Sequence, residues 1–84
     1  MKLVMVYREA SERRLEVETF LNGCKRQTGR EIETKNPDSR EGADFCRTYD
    51  VVAYPTLIAI TDDGTPISTW SDTLPTISDA SFYK

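Results

Sequence analysis

Few residues in this sequence could support covalent or metal chemistry. The chain has two cysteines, Cys24 and Cys46, and no histidine. Two cysteines without histidine make neither a disulfide framework nor a set of zinc ligands. Asp62 and Asp63 precede Gly64 in a typical hairpin turn, and Asp44 stands apart from them, so these carboxylates form no metal constellation. We therefore expect no metal and no cofactor.

Both cysteines fall where a buried thiol is expected. Cys24 lies on the apolar side of a predicted helix, and Cys46 lies beside Phe45 in a second one. A free cysteine usually packs as a small hydrophobic side chain. We expect both thiols in the core. The alternative is a partly exposed Cys46 that can be modified.

Three arginines and a serine gather near the predicted start of the first helix. Arg8, Arg13 and Arg14 could form an anion site with the N–H groups of the helix N-terminus. Two glutamates in the same stretch offset this charge, which favours a solvated charged surface instead. Ser11 is expected to cap the helix. Its hydroxyl is a poor nucleophile without an adjacent base, and no histidine is present to act as one.

The length and net charge of the chain indicate a single domain and exclude some classes of partner. The chain of 84 residues suits a single domain spanning residues 1–84, with 38% apolar and 30% charged residues. A net charge of −3 argues against a nucleic-acid or anionic-membrane partner. The apolar run from Met1 to Tyr7 is too short for a signal peptide or a spanning helix. We expect a cytoplasmic protein.

The hydrophobic pattern predicts the element order β-α-β-α-β-β-α. Val17, Phe20, Leu21 and Cys24 recur at the spacing of one buried helix face, which predicts a helix over residues 11 to 28 that ends at Gly29. The other predicted elements are strands over 2–7, 31–35, 56–61 and 66–70, a helix capped by Asp38 or Ser39 that runs to Tyr49, and a short helix that is capped by Thr76 with Asp79 and runs to about Tyr83.

This order predicts an α/β fold. The first two strands are joined by a helix and should pair in parallel, whereas the last two form an antiparallel hairpin. The result is a four-stranded mixed sheet with helices on both faces. The second helix should lie opposite the other two, which keeps Cys24 and Cys46 too far apart to bridge. Trp70 is expected to pack in the core, and Tyr7 either at the core edge or in a groove.

One motif points to a family. The segment Y-x-V-x-x-Y-P-T-L, residues 49 to 57, places Pro55 at the head of a buried strand, and D-G follows one hairpin later. Together with the element order, this resembles the thioredoxin fold, in particular thioredoxin domains of the protein disulfide isomerase kind. The resemblance implies a cis peptide bond before Pro55. It also implies that Tyr54 offers its backbone groups to an extended peptide.

The resemblance also locates a missing motif. Thioredoxins place Cys-x-x-Cys at the N-terminus of the first helix, where the helix stabilises a thiolate. Here that position reads Ser11-Glu12-Arg13-Arg14, with Ser11 in place of the nucleophile and Arg14 in place of the resolving cysteine. We therefore expect no dithiol oxidoreductase activity.

Three functional hypotheses follow. The first, which we favour over an enzyme, is a redox-inactive binding or adaptor module whose partner is a protein or extended peptide. The second is a small glutathione-binding or transferase-like enzyme that uses Ser11. The third is a domain that oligomerises through the strand Glu31–Lys35, although the charges of that strand oppose pairing. We expect a monomer or weak dimer. The candidate ligand-binding residues are Ser11, Arg13, Arg14, Tyr54, Pro55 and Thr56.

Overall fold

The predicted order of strands and helices is confirmed. A computed structural model describes residues 2–29 and 31–81. The predicted end of the last helix, near Tyr83, lies outside the described residues. The elements are β1 (Lys2–Val6), α1 (Arg14–Thr28), β2 (Glu33–Lys35), α2 (Arg40–Tyr49), β3 (Thr56–Ile60), β4 (Pro66–Ser71) and α3 (Ile77–Ser81).

The four strands form one mixed sheet in the order β2-β1-β3-β4. β1 pairs with β2 in parallel and with β3 antiparallel, and β3 pairs with β4 antiparallel. All five residues of β3 are buried, as expected for a central strand covered on both faces. The Asp62-Asp63-Gly64 turn joins β3 to β4, with Gly64 in the left-handed region at a φ of 91°.

The sheet separates two apolar clusters because successive side chains of β1 and β3 point to opposite faces. The cluster on the α2 face consists of Val4, Val6, Cys46, Val51, Ile58 and Ile60. The cluster on the α1 and α3 face consists of Met5, Val17, Phe20, Cys24, Leu57 and Ala80. Both cysteines are buried and free, and they lie on opposite faces as predicted. Burial raises the pKa of the Cys24 thiol.

Three predicted helix ends are confirmed. Gly29 ends α1 with a φ of 73°, and its N–H donates to the carbonyl of Lys25 at 2.8 Å. Ser39 caps α2, its Oγ accepting from the N–H of Gly42 at 2.9 Å. The Thr76 hydroxyl oxygen accepts from the N–H of Asp79 at 3.1 Å at the start of α3.

The predicted start of the first helix is wrong. α1 begins at Arg14, and Arg13 is the N-cap without a side-chain cap bond. The Ser11 hydroxyl oxygen accepts from the N–H of Arg13 at 3.0 Å, and the carbonyl of Arg8 accepts from the N–H of Ser11 at 3.1 Å. Serine side chains compete with the helix in this way, because a local bond stabilises a turn instead. Residues 8–13 therefore form turns ahead of α1.

The second strand is shorter than predicted. It begins at Glu33, whereas Glu31 forms an ion pair with Lys25 at 2.8 Å. Ile32 packs against the α1 and α3 cluster, and so do Tyr7 and Trp70, each partly buried. No helix among the described residues is long and apolar enough to cross a membrane.

Candidate functional site

The loop between α2 and β3 is held on both sides of its proline. The Tyr54–Pro55 peptide bond is cis. Pro55 is buried, and its carbonyl accepts from the N–H of Asp72, which follows β4, at 2.9 Å. Thr56 is also buried, and its hydroxyl donates to the carbonyl of Ala53 at 2.6 Å. These two bonds fix the shape of the loop around Pro55.

The backbone of Tyr54 lies just beyond the ladders of the sheet. Pairing between β3 and both of its neighbours begins at Thr56, which lies opposite Val6 and Ser71. In the part of the chain that the structure describes, the N–H and C=O of Tyr54 have no hydrogen-bond partner. Backbone groups are strong donors and acceptors that need partners when they are buried. A ligand that covers Tyr54 could therefore bond to both.

The ring of Tyr54 is positioned by two other elements. It packs against the α2-face cluster, and the Arg8 guanidinium lies 4.8 Å from the ring centroid. Nε of Arg8 also lies 3.2 Å from the Asp38 carboxylate. Burial raises the pKa of the Tyr54 phenol, and the neighbouring Cys46 adds to this shift while Arg8 opposes it. The ring therefore has limited freedom to rotate.

Arg13 connects the start of α1 to the proline loop. Its Nη1 donates to Oδ1 of Asp72 at 2.6 Å and to the carbonyl of Asp72 at 3.0 Å. Its Nε and Nη2 each donate to Glu16 at 3.1 Å. This hydrogen bonding lowers the pKa of Glu16. Because the N–H of Asp72 donates to Pro55, a continuous chain of bonds runs from Arg13 to the cis-proline.

The predicted anion site is not supported by the arginine contacts. Each of the three arginines already faces carboxylates: Arg8 faces Asp38, Arg13 faces Glu16 and Asp72, and Arg14 faces Glu18 at 3.8 Å. These pairs compensate the positive charge near the start of α1, which fits the alternative of a solvated charged surface. The arginine that contacts Tyr54 is Arg8, which was not among the six candidate ligand-binding residues.

Of the six candidate residues, three are consecutive in the chain and a fourth is connected to them through one intermediate residue. Tyr54, Pro55 and Thr56 form one loop, and Arg13 reaches that loop through Asp72. Ser11 bonds to the backbone of Arg13 and not to the loop. Arg14 is exposed and points its guanidinium at Glu18. Among the described residues, Ser11 and Arg14 therefore make no hydrogen bond or ion pair of their own with the loop, and their connection to it is through Arg13.

Two exposed apolar side chains lie close to candidate residues in the sequence, and neither was predicted as a candidate. Val52 is 82% exposed two residues before Tyr54, and Leu15 is 74% exposed one residue after Arg14. Leu15 departs from the helical period of Val17 and the other buried α1 residues, which is a signal that the sequence does contain. Single exposed apolar side chains are common on protein surfaces, and Val52 is of interest because it lies in the same loop as Tyr54.

A concave region lies away from the proline loop, at the other end of the sheet. It has a volume of about 370 Å³ and lies between α2 and the β3–β4 turn. The Tyr49 hydroxyl donates to the carbonyl of Gly64 at 2.8 Å across one wall, and Glu33 bridges Lys2 and Lys35 at 3.2 Å each on the rim. Among residues 2–29 and 31–81, no group of three or more His, Cys, Asp or Glu side chains could hold a metal ion.

Comparison with solved structures identifies the fold. Thioredoxin 1 from the thermophilic eubacterium Thermosipho africanus superposes with a TM-score of 0.67 at 18% identity, covering 95% of this chain and 85% of the thioredoxin. A malarial protein superposes with a TM-score of 0.69 at 15% identity, covering 96% of this chain and 89% of the other. No protein-family model matches the sequence. No curated protein matches it either.

The chain therefore has a thioredoxin-like fold, as its sequence predicted. At these identities the likeness establishes the architecture and not an activity. What the protein does must be argued from the residues of its own site.

Proposed function

We propose that the chain is a small binding module that holds an extended peptide at the cis-proline loop. The observation that carries this proposal is the pair of unbonded backbone groups of Tyr54, which lie next to the last rungs of the sheet. A peptide in β-conformation can bond to both groups and so add a short strand. Backbone pairing of this kind would supply affinity for many sequences, and side-chain contacts would supply selectivity.

The surroundings of Tyr54 favour such a ligand. Val52 lies in the same loop as Tyr54 and offers apolar surface that a bound peptide would remove from water. The Arg13–Asp72–Pro55 bonds and the Arg8–Tyr54 contact hold the loop before a ligand arrives. A preformed site loses less conformational entropy when it binds. The partner that fits is an extended segment with aliphatic side chains.

Peptide selection tests this proposal. Peptides selected from a random library against the folded protein should shift the amide resonances of residues 53–56. Val52→Ser should weaken their binding by about tenfold, because truncating a central apolar contact commonly has this effect. Ile67→Ser is the matched control, since Ile67 is also exposed, at 45%, but lies in β4. Selected peptides that shift only residues elsewhere, or that bind both variants equally, would contradict the proposal.

The module acts without dithiol exchange. No cysteine precedes Cys24 in the sequence, so neither the turns ahead of α1 nor the first turn of α1 carries a thiol, and Cys24 and Cys46 are buried on opposite faces of the sheet. Two free thiols also suit a reducing compartment such as the cytoplasm. With dithiothreitol as reductant, the wild type should reduce a disulfide substrate no faster than the reagent alone. A faster rate that Cys24→Ser or Cys46→Ser removes would refute this part of the proposal.

A glutathione-binding enzyme is the second candidate. The observation in its favour is that the Ser11 hydroxyl accepts from Arg13 but donates to no acceptor among the described residues, so its proton is available to a ligand thiolate. Glutathione at up to about 10 mM should then shift the amide resonances of residues 11–14 and 54–56, because even weak binding is populated at that concentration. The absence of shifts, or shifts that Ser11→Ala leaves unchanged, would eliminate this candidate.

A further inference from the structure

The two edges of the sheet differ in how they are protected. β2 forms one edge with three residues, of which Glu33 and Lys35 are charged. β4 forms the other edge with the six residues Pro-Ile-Ser-Thr-Trp-Ser, none of them charged. Charged side chains on an edge strand oppose pairing with another chain. β4 therefore lacks the protection that β2 has.

The hydrogen-bond pattern shows which groups of β4 face outward. The N–H of Asp72 donates to the carbonyl of Pro55 at 2.9 Å, which makes these two residues a hydrogen-bonded pair. Such pairs alternate along an antiparallel ladder. The next one is Trp70 with Leu57, so Trp70 bonds toward β3.

It follows that the N–H and C=O of Thr69 and Ser71 point away from β3. Both residues are exposed, and within residues 2–29 and 31–81 these outward groups bond to nothing else. The first half of β4 is less suited to pairing with another strand. Pro66 has no N–H to donate, and the pairing with β3 shifts register near Ala59 and Ile60. The open part of the edge is therefore Thr69–Ser71, with its outward groups on Thr69 and Ser71.

We propose that this edge pairs antiparallel with the same edge of a second copy of the chain. A two-fold axis at Trp70 places Thr69 of one copy opposite Ser71 of the other, so that the outward groups of both residues are satisfied in each copy. The two Trp70 residues then face each other at the closely spaced, non-hydrogen-bonded position, where aromatic side chains form favourable cross-strand pairs.

Trp70 favours a second copy of the chain as the partner of the β4 edge. Its side chain packs, partly buried, against the cluster that contains Leu57, on the α1 and α3 face. A symmetric partner adds a second indole beside it and extends this apolar cluster across the interface. Neither strand brings a charge to the contact. The interface is short, so the association is weak and depends on protein concentration.

Sedimentation equilibrium combined with tryptophan fluorescence tests this dimer. The average mass should rise from that of a monomer toward that of a dimer as the concentration reaches about 1 mM, the range expected for a small interface. Trp70 is the only tryptophan, so its emission should shift to shorter wavelength over the same concentration range. A mass that stays monomeric throughout would overturn the proposal.

Two lysine variants at opposite sheet edges locate the interface. Thr69→Lys should weaken association by at least about tenfold, because it places a charge on the pairing edge. Thr34→Lys places the same substitution on the exposed β2 edge and should leave association unchanged. Both positions are exposed, so both variants should fold, which circular dichroism would verify. Loss of association with Thr34→Lys alone would overturn the proposal in favour of a β2 interface.

Discussion

Among single residues, Arg13 is central to the candidate site because its guanidinium binds two carboxylates at once. One side of its guanidinium binds Glu16 in the first turn of α1, and the other binds Asp72 after β4. A bidentate guanidinium is more strongly oriented than a simple charge, which Lys could supply. Arg13 is therefore better understood as a residue that positions the loop than as one that binds an anion.

The Arg13–Glu16 pair gives a specific pH dependence. The pKa of Glu16 is lowered from 4.5 in the folded chain, chiefly by hydrogen bonding to Arg13. A carboxyl with a lowered pKa contributes stability above its unfolded pKa, and this contribution is lost as the pH falls through the folded pKa. Glu16→Gln should therefore be less stable than the wild type at pH 7, with a difference that disappears in acid.

Urea denaturation from pH 7 down to about 3 measures this difference, since the interval spans the titration of a glutamate. Glu12→Gln is the control, because Glu12 is an exposed residue with no ion pair among the described residues. A stability difference for Glu16→Gln that persists unchanged at the lowest pH would show that Arg13 does not stabilise the carboxylate form.

At the scale of elements, two serines with the same expected role have different ones. Ser39 caps α2 through the N–H of Gly42, whereas Ser11 stabilises a turn three residues before α1 begins. Its turn leaves Arg13 at the N-cap, where the side chain is free to reach Asp72. The late start of α1 thus contributes directly to the geometry of the candidate site.

Removing each hydroxyl should distinguish these roles. Ser39→Ala should reduce the free energy of unfolding by about 1 kcal/mol, the usual effect of losing an N-cap. Ser11→Ala should have a smaller effect, because its hydroxyl bonds within an exposed turn. Chemical denaturation of both variants gives the comparison. Equal losses of stability would contradict the assignment of Ser39 as the only one of the two that caps a helix.

At the scale of the whole molecule, the sheet joins two cores into one structure. β1 and β3 contribute alternate side chains to both faces, so neither cluster can open without disturbing the strands that it shares with the other. Small domains of this size usually unfold cooperatively. The reactivity of the two cysteines can show whether both faces open together, because one cysteine lies on each face.

Thiol alkylation should therefore show equal protection on both faces. Cys46→Ser leaves Cys24 as the only thiol, and Cys24→Ser leaves Cys46. Relative to the unfolded chain, each thiol should react more slowly by a similar factor, since both become accessible through the same global opening. Without reductant, the denatured wild type should titrate two thiols. Much faster reaction of one thiol would show that its face opens independently.

Features that depend on neighbouring residues along the chain were predictable from the amino-acid sequence alone. The hydrophobic periodicity predicted the order of the strands and helices. Turn and cap residues such as Gly29 and Ser39 predicted where several helices begin or end. The Tyr54-Pro55-Thr56 motif gave the place of the candidate site. These features were predictable because their physical causes act within a few residues.

Contacts between residues far apart in the sequence depend on the folded arrangement of the strands and helices. Arg13 and Asp72 are separated by most of the chain, and their bond depends on where α1 starts. The exposure of Val52 and the open edge of β4 likewise depend on what the rest of the fold leaves uncovered. Contacts and exposure are properties of the assembled surface, and local patterns do not contain them.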